Sequence, residues 1–184
     1  TNHEVIYSQH SFAVYPLVTQ AVGAKHGVIP ANGWGHDLDA MLSSVNNKTR
    51  LIFIANPNNP TGTYVRTDEF EWFMEQIPEN VLVIWDEAYF EYAEKLPDFP
   101  DSMKYRFDNV ITLRTFSKAL GLAGVRLGYA LAHPELVTAA MGLLVRHFEQ
   151  RSVLISLARE TRLLVKDNMV AMYRSFDEQL RKLR

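Results

Sequence analysis

Leu51-Ile52-Phe53-Ile54-Ala55-Asn56-Pro57-Asn58-Asn59-Pro60-Thr61-Gly62 is the stretch on which the fold turns. Its first five residues are apolar without a break, so a strand built from them has no face to offer water. The Asn, Pro and Gly that follow end it in a turn. Val81-Leu82-Val83-Ile84-Trp85 repeats the pattern and runs into Asp86-Glu87-Ala88-Tyr89. Val110 to Leu113 is a third such strand, followed by Arg114-Thr115-Phe116-Ser117-Lys118-Ala119. Strands covered on both faces belong to a parallel sheet between helix layers. The expected fold class is therefore α/β, a mostly parallel sheet with helices on both sides.

Working outward, Val5-Ile6-Tyr7, Val28-Ile29-Pro30 and Arg126 to Ala132 read as further strands. Helices are expected over Phe12–Val22, Asp37–Val45 and Asp68–Gln76, and from Pro134 to about Val145. The second carries Leu38, Met41, Leu42 and Val45 on one face. Thr67 is the expected N-cap of the third, whose early acids suit its positive end. Residues 86–108 look irregular. Beyond them, Met169, Tyr173, Phe176, Leu180 and Leu183 form one apolar stripe on a long helix. Two heptads are too few for a coiled coil, so that stripe is expected to pack on its own protein. The expected organisation is a large domain over residues 1–145 and a helical segment over 146–184.

Composition narrows the chemistry. The chain has 184 residues, enough to bury roughly 70% of its unfolded surface. Nineteen Lys and Arg against 21 Asp and Glu leave a net charge of -2, which is no footprint for nucleic acid. With no cysteine, disulfides, zinc–thiolate sites and thiol nucleophiles are excluded. The six histidines make no HExxH or i, i+4 pair, so no metal site is expected. No apolar run approaches the roughly 20 residues of a membrane helix. No signal peptide is visible at the start, and a cytoplasmic setting is expected.

In an open parallel sheet, ligands bind beyond the carboxyl ends of the strands. Three strands here deliver an amide, a carboxylate with a phenol, and a lysine to one edge. Each has an ordinary structural reading by itself: a turn, a solvated strand end, a surface lysine. Their convergence points instead to a site. Consecutive residues of an extended chain face opposite ways, so Asp86 and Glu87 cannot both belong to it.

Asn56-Pro57-Asn58-Asn59-Pro60-Thr61-Gly62, Asp86-Glu87-Ala88-Tyr89-Phe90-Glu91 and the run from Arg114 through Arg126 to Gly128 resemble fold-type I transferases that use pyridoxal 5'-phosphate. Among these they are most similar to the histidinol-phosphate aminotransferase group, over about Val5 to Val145. The resemblance implies the large domain of such an enzyme. It also implies that Lys118 forms the Schiff base with the cofactor aldehyde and moves the substrate α-proton. Asp86 would pair with the pyridine nitrogen, and Asn59 and Tyr89 would bind the ring phenolic oxygen. Thr115, Ser117 and Arg126 would hold the phosphate, with Phe12 stacked on the ring.

The implied reaction moves an amino group between histidinol phosphate and 2-oxoglutarate, in histidine biosynthesis. Its partners would be small-molecule substrates and a second subunit in a homodimer. An aromatic amino-acid aminotransferase, a decarboxylase or lyase on the same cofactor, and a non-catalytic fragment are the alternatives. Members of the group run to about twice this length. A preceding Gly-rich turn and a following small domain with a substrate-binding Arg are therefore expected outside this chain. Arg159, Arg162 and Arg174 receive no role from the resemblance.

Overall fold

A computed structural model of the chain describes residues 2–140. They fall almost wholly in the first of two compact units, Thr1–Val137. The stripe from Met169 to Leu183 lies outside the described residues, as does the segment 146–184.

Six strands form one sheet: β1 (Glu4–Ser8), β2 (Lys25–Ile29), β3 (Thr49–Ala55), β4 (Leu82–Asp86), β5 (Val110–Thr115) and β6 (Gly128–Leu131). Their order is β2-β1-β3-β4-β5-β6. The first five are parallel, and β6 runs antiparallel to β5 at the edge. The helices are α1 (Val14–Ala21), α2 (Leu38–Ser43), α3 (Thr67–Gln76) and the short α4 (Phe90–Ala93). This is the α/β, mostly parallel architecture expected from the strand composition.

Alternation along the strands explains why they are apolar throughout. Ile6, Ile52, Ile54, Val83 and Trp85 pack with Met41 of α2 and Phe70, Phe73 and Met74 of α3. Val5, Tyr7 and Ala55 pack on the other face with Tyr15 of α1, alongside Leu51 and Phe53. β1 and β3 thus each serve two cores. Phe70 is the hub of the first, fully buried and edge-on to both Trp85 and Tyr105.

Chain direction through the sheet reverses its sense between β1 and β3. The first crossover, through α1, leads outward to β2, and the later ones lead the other way to β4 and β5. That places a topological switch point at the carboxyl ends of β1 and β3, where open α/β sheets form their ligand crevice.

Several local expectations need correction. Thr67 is the first residue of α3, not its cap. The N-cap is Arg66, whose N–H is accepted by Glu69 Oε2 at 2.8 Å, while the Thr67 hydroxyl donates to the Asp98 carbonyl at 3.0 Å. A partner more than thirty residues away thus outcompetes the local cap. β2 starts at Lys25, before the apolar residues do, because its backbone pairs with all of β1. Arg126 is not in a strand: it has φ 57° and ends a 3₁₀ turn at Ala123–Val125, and β6 begins at Gly128. Gly128 is required there, since a Cβ would meet the Arg114 carbonyl at 2.9 Å across the β5–β6 pair. Residues 86–108 contain α4 and a 3₁₀ turn at Ser102–Lys104. Residues 134–140 are helical, as expected, and the rest of the range expected to be helical, to about Val145, lies outside the described residues.

Phe70→Ala should lower the unfolding free energy by about 3–5 kcal/mol, the usual cost of emptying an aromatic core position. Leu17→Ala, on the exposed side of α1, should stay within about 0.5 kcal/mol of wild type. Urea unfolding of the two variants checks the pair.

Candidate active site

The loop after β3 is pinned before it reaches solvent. Asn56 is fully buried, its N–H donates to the Asp86 carbonyl at 2.8 Å, and its side chain exchanges two hydrogen bonds with the Val65 backbone. Asn58 Nδ2 donates to the His10 carbonyl and to Thr61 Oγ1, both at 2.8 Å, which ties this loop to the segment leaving β1. Gly62 closes the turn with φ 74°, a conformation glycine adopts without a Cβ penalty. Asn59 is thereby held beside Tyr89, its Nδ2 3.4 Å from the phenol oxygen.

At the end of β4 the two carboxylates part company. Asp86 is on the α1 face, where its Oδ2 accepts from the Tyr15 hydroxyl at 2.7 Å and its Oδ1 from Ala88 N at 3.1 Å. Burial raises its carboxyl above the usual range; the Tyr15 and Ala88 hydrogen bonds and the Lys118 charge pull it back down. Glu87 points the other way and is completely buried. Its Oε1 accepts from Ser102 N at 3.0 Å, and its Oε2 accepts from Arg114 Nε at 2.8 Å and Nη2 at 2.6 Å. Arg114 Nη2 also reaches Asp101 Oδ1 at 2.7 Å, and the guanidinium lies over the Phe90 ring at 3.5 Å. As expected of consecutive residues in extended chain, the two acids face opposite ways and take different partners.

Beyond β5 the chain makes a tight bend. Thr115 Oγ1 accepts from Ser117 N at 3.1 Å, Gly121 N donates to the Lys118 carbonyl at 2.9 Å, and Gly121 has φ 69°. Buried Phe116 anchors the bend, and Lys118 projects from it into solvent. Lys118 Nζ lies over the Tyr89 ring, 5.0 Å from its centre. The structure thus brings together Lys118, Asp86, Tyr89 and Asn59, with Thr115 and Ser117 adjacent to the lysine in sequence. Phe12 is edge-on to Tyr15, 5.8 Å between ring centres, and reaches Asp86 only through it. Arg126 is exposed and donates to the Ala123 carbonyl at 3.1 Å, which leaves it unattached to Thr115 and Ser117.

Tyr15 lies within the expected helix 12–22 and Arg114 opens the run after Leu113, and neither position is marked in the sequence as part of the site. Tyr15 and Thr19 stand four residues apart and are the buried pair on α1, a spacing that marks one helix face. Nothing in sequence spacing links Arg114 to Glu87.

Fold and site together define an open α/β domain whose switch-point edge carries an exposed lysine beside a half-buried carboxylate and a phenol–amide pair. The chain belongs to the class I and II aminotransferases, whose family model matches residues 1–178. It is 54% identical over 136 residues to histidinol-phosphate aminotransferase 1 of Nitrosococcus oceani, covering 73% of this chain and 36% of that protein. With histidinol-phosphate aminotransferase 1 of Idiomarina loihiensis it shares 48% over 157 residues, 84% of this chain and 42% of the relative. The fold is similar to that of histidinol-phosphate aminotransferase from Sinorhizobium meliloti, solved in complex with pyridoxal-5'-phosphate. That likeness has a TM-score of 0.72 and 31% identity, over 77% of this chain and 39% of the other. The chain therefore spans well under half the length of the relatives it matches.

Removing one partner of a buried ion pair strands the other charge. Arg114→Met should cost about 3–5 kcal/mol at neutral pH. Burial already raises the Glu87 carboxyl, with Arg114 the foremost group pulling it down. In the variant, folded Glu87 keeps a proton that the unfolded chain loses, between the ordinary carboxyl value and the raised one. The variant's stability should therefore rise as pH falls through that window, and its deficit against wild type should shrink. Urea unfolding at about pH 7 and about pH 5 measures the difference.

Proposed function

We propose that this chain is the cofactor-binding part of a pyridoxal-phosphate-dependent aminotransferase acting on histidinol phosphate, with 2-oxoglutarate taking the amino group. The observation that carries the proposal is the convergence of Lys118, Asp86, Tyr89 and Asn59 on one sheet edge. The relatives named above add the substrate class, and the cofactor named with the Sinorhizobium structure agrees with the donor set.

The residues suit that cofactor chemically. Lys118 is an exposed amine, and among the described residues no acid lies within ion-pair distance of it. Asp86 is a half-buried carboxylate with lone pairs left to meet a protonated ring nitrogen. Tyr89 and Asn59 offer a phenol and an amide donor side by side for the ring oxygen. Thr115 and Ser117 supply hydroxyls at the end of β5, and Arg126 supplies a planar fork suited to phosphate. Phe12 supplies an aromatic face that would stack on the ring. When bound, the cofactor supplies an electron sink for the bond broken at the substrate α-carbon.

Lys118 would hold the cofactor through its amine and, once freed, would carry the substrate α-proton, as base and then acid. Asp86 holds the ring nitrogen positive, which strengthens the sink. Tyr89 and Asn59 steady the ring oxygen, and the phosphate ligands fix the ring's swing. The family pattern further suggests a cytoplasmic homodimer. Among the described residues no helix is long and apolar enough to cross a membrane.

Borohydride treatment of the chain mixed with pyridoxal phosphate should leave a pyridoxyl group on the peptide containing Lys118, and none after Lys118→Ala. In the full-length enzyme, Lys118→Ala should cut transamination of histidinol phosphate by more than about 10⁴-fold, since nucleophile and proton carrier go together. Near-normal turnover in that variant, or phenylalanine as the better amino donor, would overturn the assignment or its substrate respectively.

A further inference from the structure

We propose that Tyr15 is the positioning residue for Asp86, fixing the carboxylate's orientation and keeping it ionised for the cofactor's ring nitrogen. This rests on the cofactor reading above and adds to it a residue from α1, an element that contributes none of the motif positions.

The geometry is built from three sides. Tyr15 is 3% exposed. Its ring lies flat on Phe53 of β3, with 4.4 Å between centres and 5° between planes. Phe12 closes on it edge-on. The Thr19 hydroxyl donates to the Tyr15 carbonyl at 2.7 Å, which ties the same turn of α1 together. From that slot the phenol crosses to the neighbouring strand, since Ala55 of β3 is paired with Asp86 of β4, and donates to Oδ2. Oδ1 is held separately by Ala88 N. Two donors from different elements therefore set the plane of the carboxylate, and lone pairs remain on both oxygens.

Tyr15 is suited to be a constant donor. Burial and the adjacent Asp86 both push its hydroxyl well above the usual phenol range, so at neutral pH it is a donor. The charged and titratable groups that act on Asp86 are Tyr15 from α1 and Lys118 from the bend after β5. Lys118 helps only while its amine carries a charge. Once that amine is engaged by the cofactor aldehyde in the proposed reaction, Tyr15 is the side chain left to offset the burial of Asp86. The carboxylate then depends on the phenol at the stage when the ring nitrogen must stay protonated.

Tyr15→Phe keeps the ring, the stack and the volume, and removes only the hydroxyl. Carboxyl-carbon NMR of the ligand-free chain should show the Asp86 titration midpoint moving to higher pH in this variant. With ¹⁵N-labelled pyridoxal phosphate, the bound pyridine nitrogen should shift toward its unprotonated position, and cofactor affinity should fall about tenfold. Phe53→Leu, which loosens the stack but keeps the hydroxyl, should weaken the cofactor's hold while leaving the Asp86 midpoint lower than in Tyr15→Phe. An unmoved Asp86 midpoint, or an unmoved nitrogen shift in a bound cofactor, overturns the proposal. Failure of the full-length wild-type enzyme to bind the cofactor would instead defeat the cofactor reading, and the ligand-free titration would still decide whether Tyr15 controls Asp86.

Discussion

An extended strand cannot send two consecutive side chains to the same side, and at Asp86-Glu87 this constraint organises the site. Asp86 goes to the α1 face and ends beneath Tyr15. Glu87 goes to the opposite face, where full burial of a carboxylate is tolerable only against a cation. Arg114 supplies that cation from β5 and extends it to Asp101. The pair therefore joins β4, β5 and the 86–108 excursion through one guanidinium. Its worth lies less in net stability than in geometry, because the alternative arrangements leave a charge stranded. With Glu87 locked, Asp86 has one direction left.

The remaining site parts hang on the same two strand ends. Asn56 donates to the Asp86 backbone and clamps the Val65 backbone, so the loop bearing Asn59 is registered against β4. The bend bearing Lys118 leaves β5 directly after Arg114 and Thr115, so the ion pair that orients Glu87 also fixes where the lysine starts. Tyr89 is three residues past Asp86 and meets both loops, through Asn59 on one side and Lys118 on the other. One edge of the sheet thus carries Lys118, Asp86, Tyr89 and Asn59 together. Arg126 is the outlier: its guanidinium is turned onto Ala123 and its backbone is in the left-handed region, which few non-glycine residues adopt. Such strain is held by surrounding structure and is common where a ligand is met.

Much of this was legible from residues alone, for identifiable reasons. Unbroken apolar runs at 51–55 and 81–85 mean burial on both faces, and the two cores on either side of Ile52 and Phe53 are what that burial consists of. The motif residues at the strand ends could be named because each follows its strand within a few positions. Local competition was harder to read. Thr67 looked like a cap because Thr caps helices, yet Asp98 claims its hydroxyl. Arg126 looked like strand because it adjoins one, yet the turn before β6 needs a reversal there.

The sequence by itself determined the element types, the parallel character of the sheet and the edge on which the chemistry gathers. These depend on periodicity and on distances of a few residues, which local sterics and hydrophobic burial govern. Only the tertiary structure decided who meets whom: Tyr15 with Asp86, 71 residues apart, and Arg114 with Glu87, 27 apart. Those meetings follow from the strand order β2-β1-β3-β4-β5-β6, which sets β4 between β3, on whose Phe53 the Tyr15 ring lies, and β5, which carries Arg114. No spacing along the chain encodes that order. It emerges from which faces can be buried together once the strands exist.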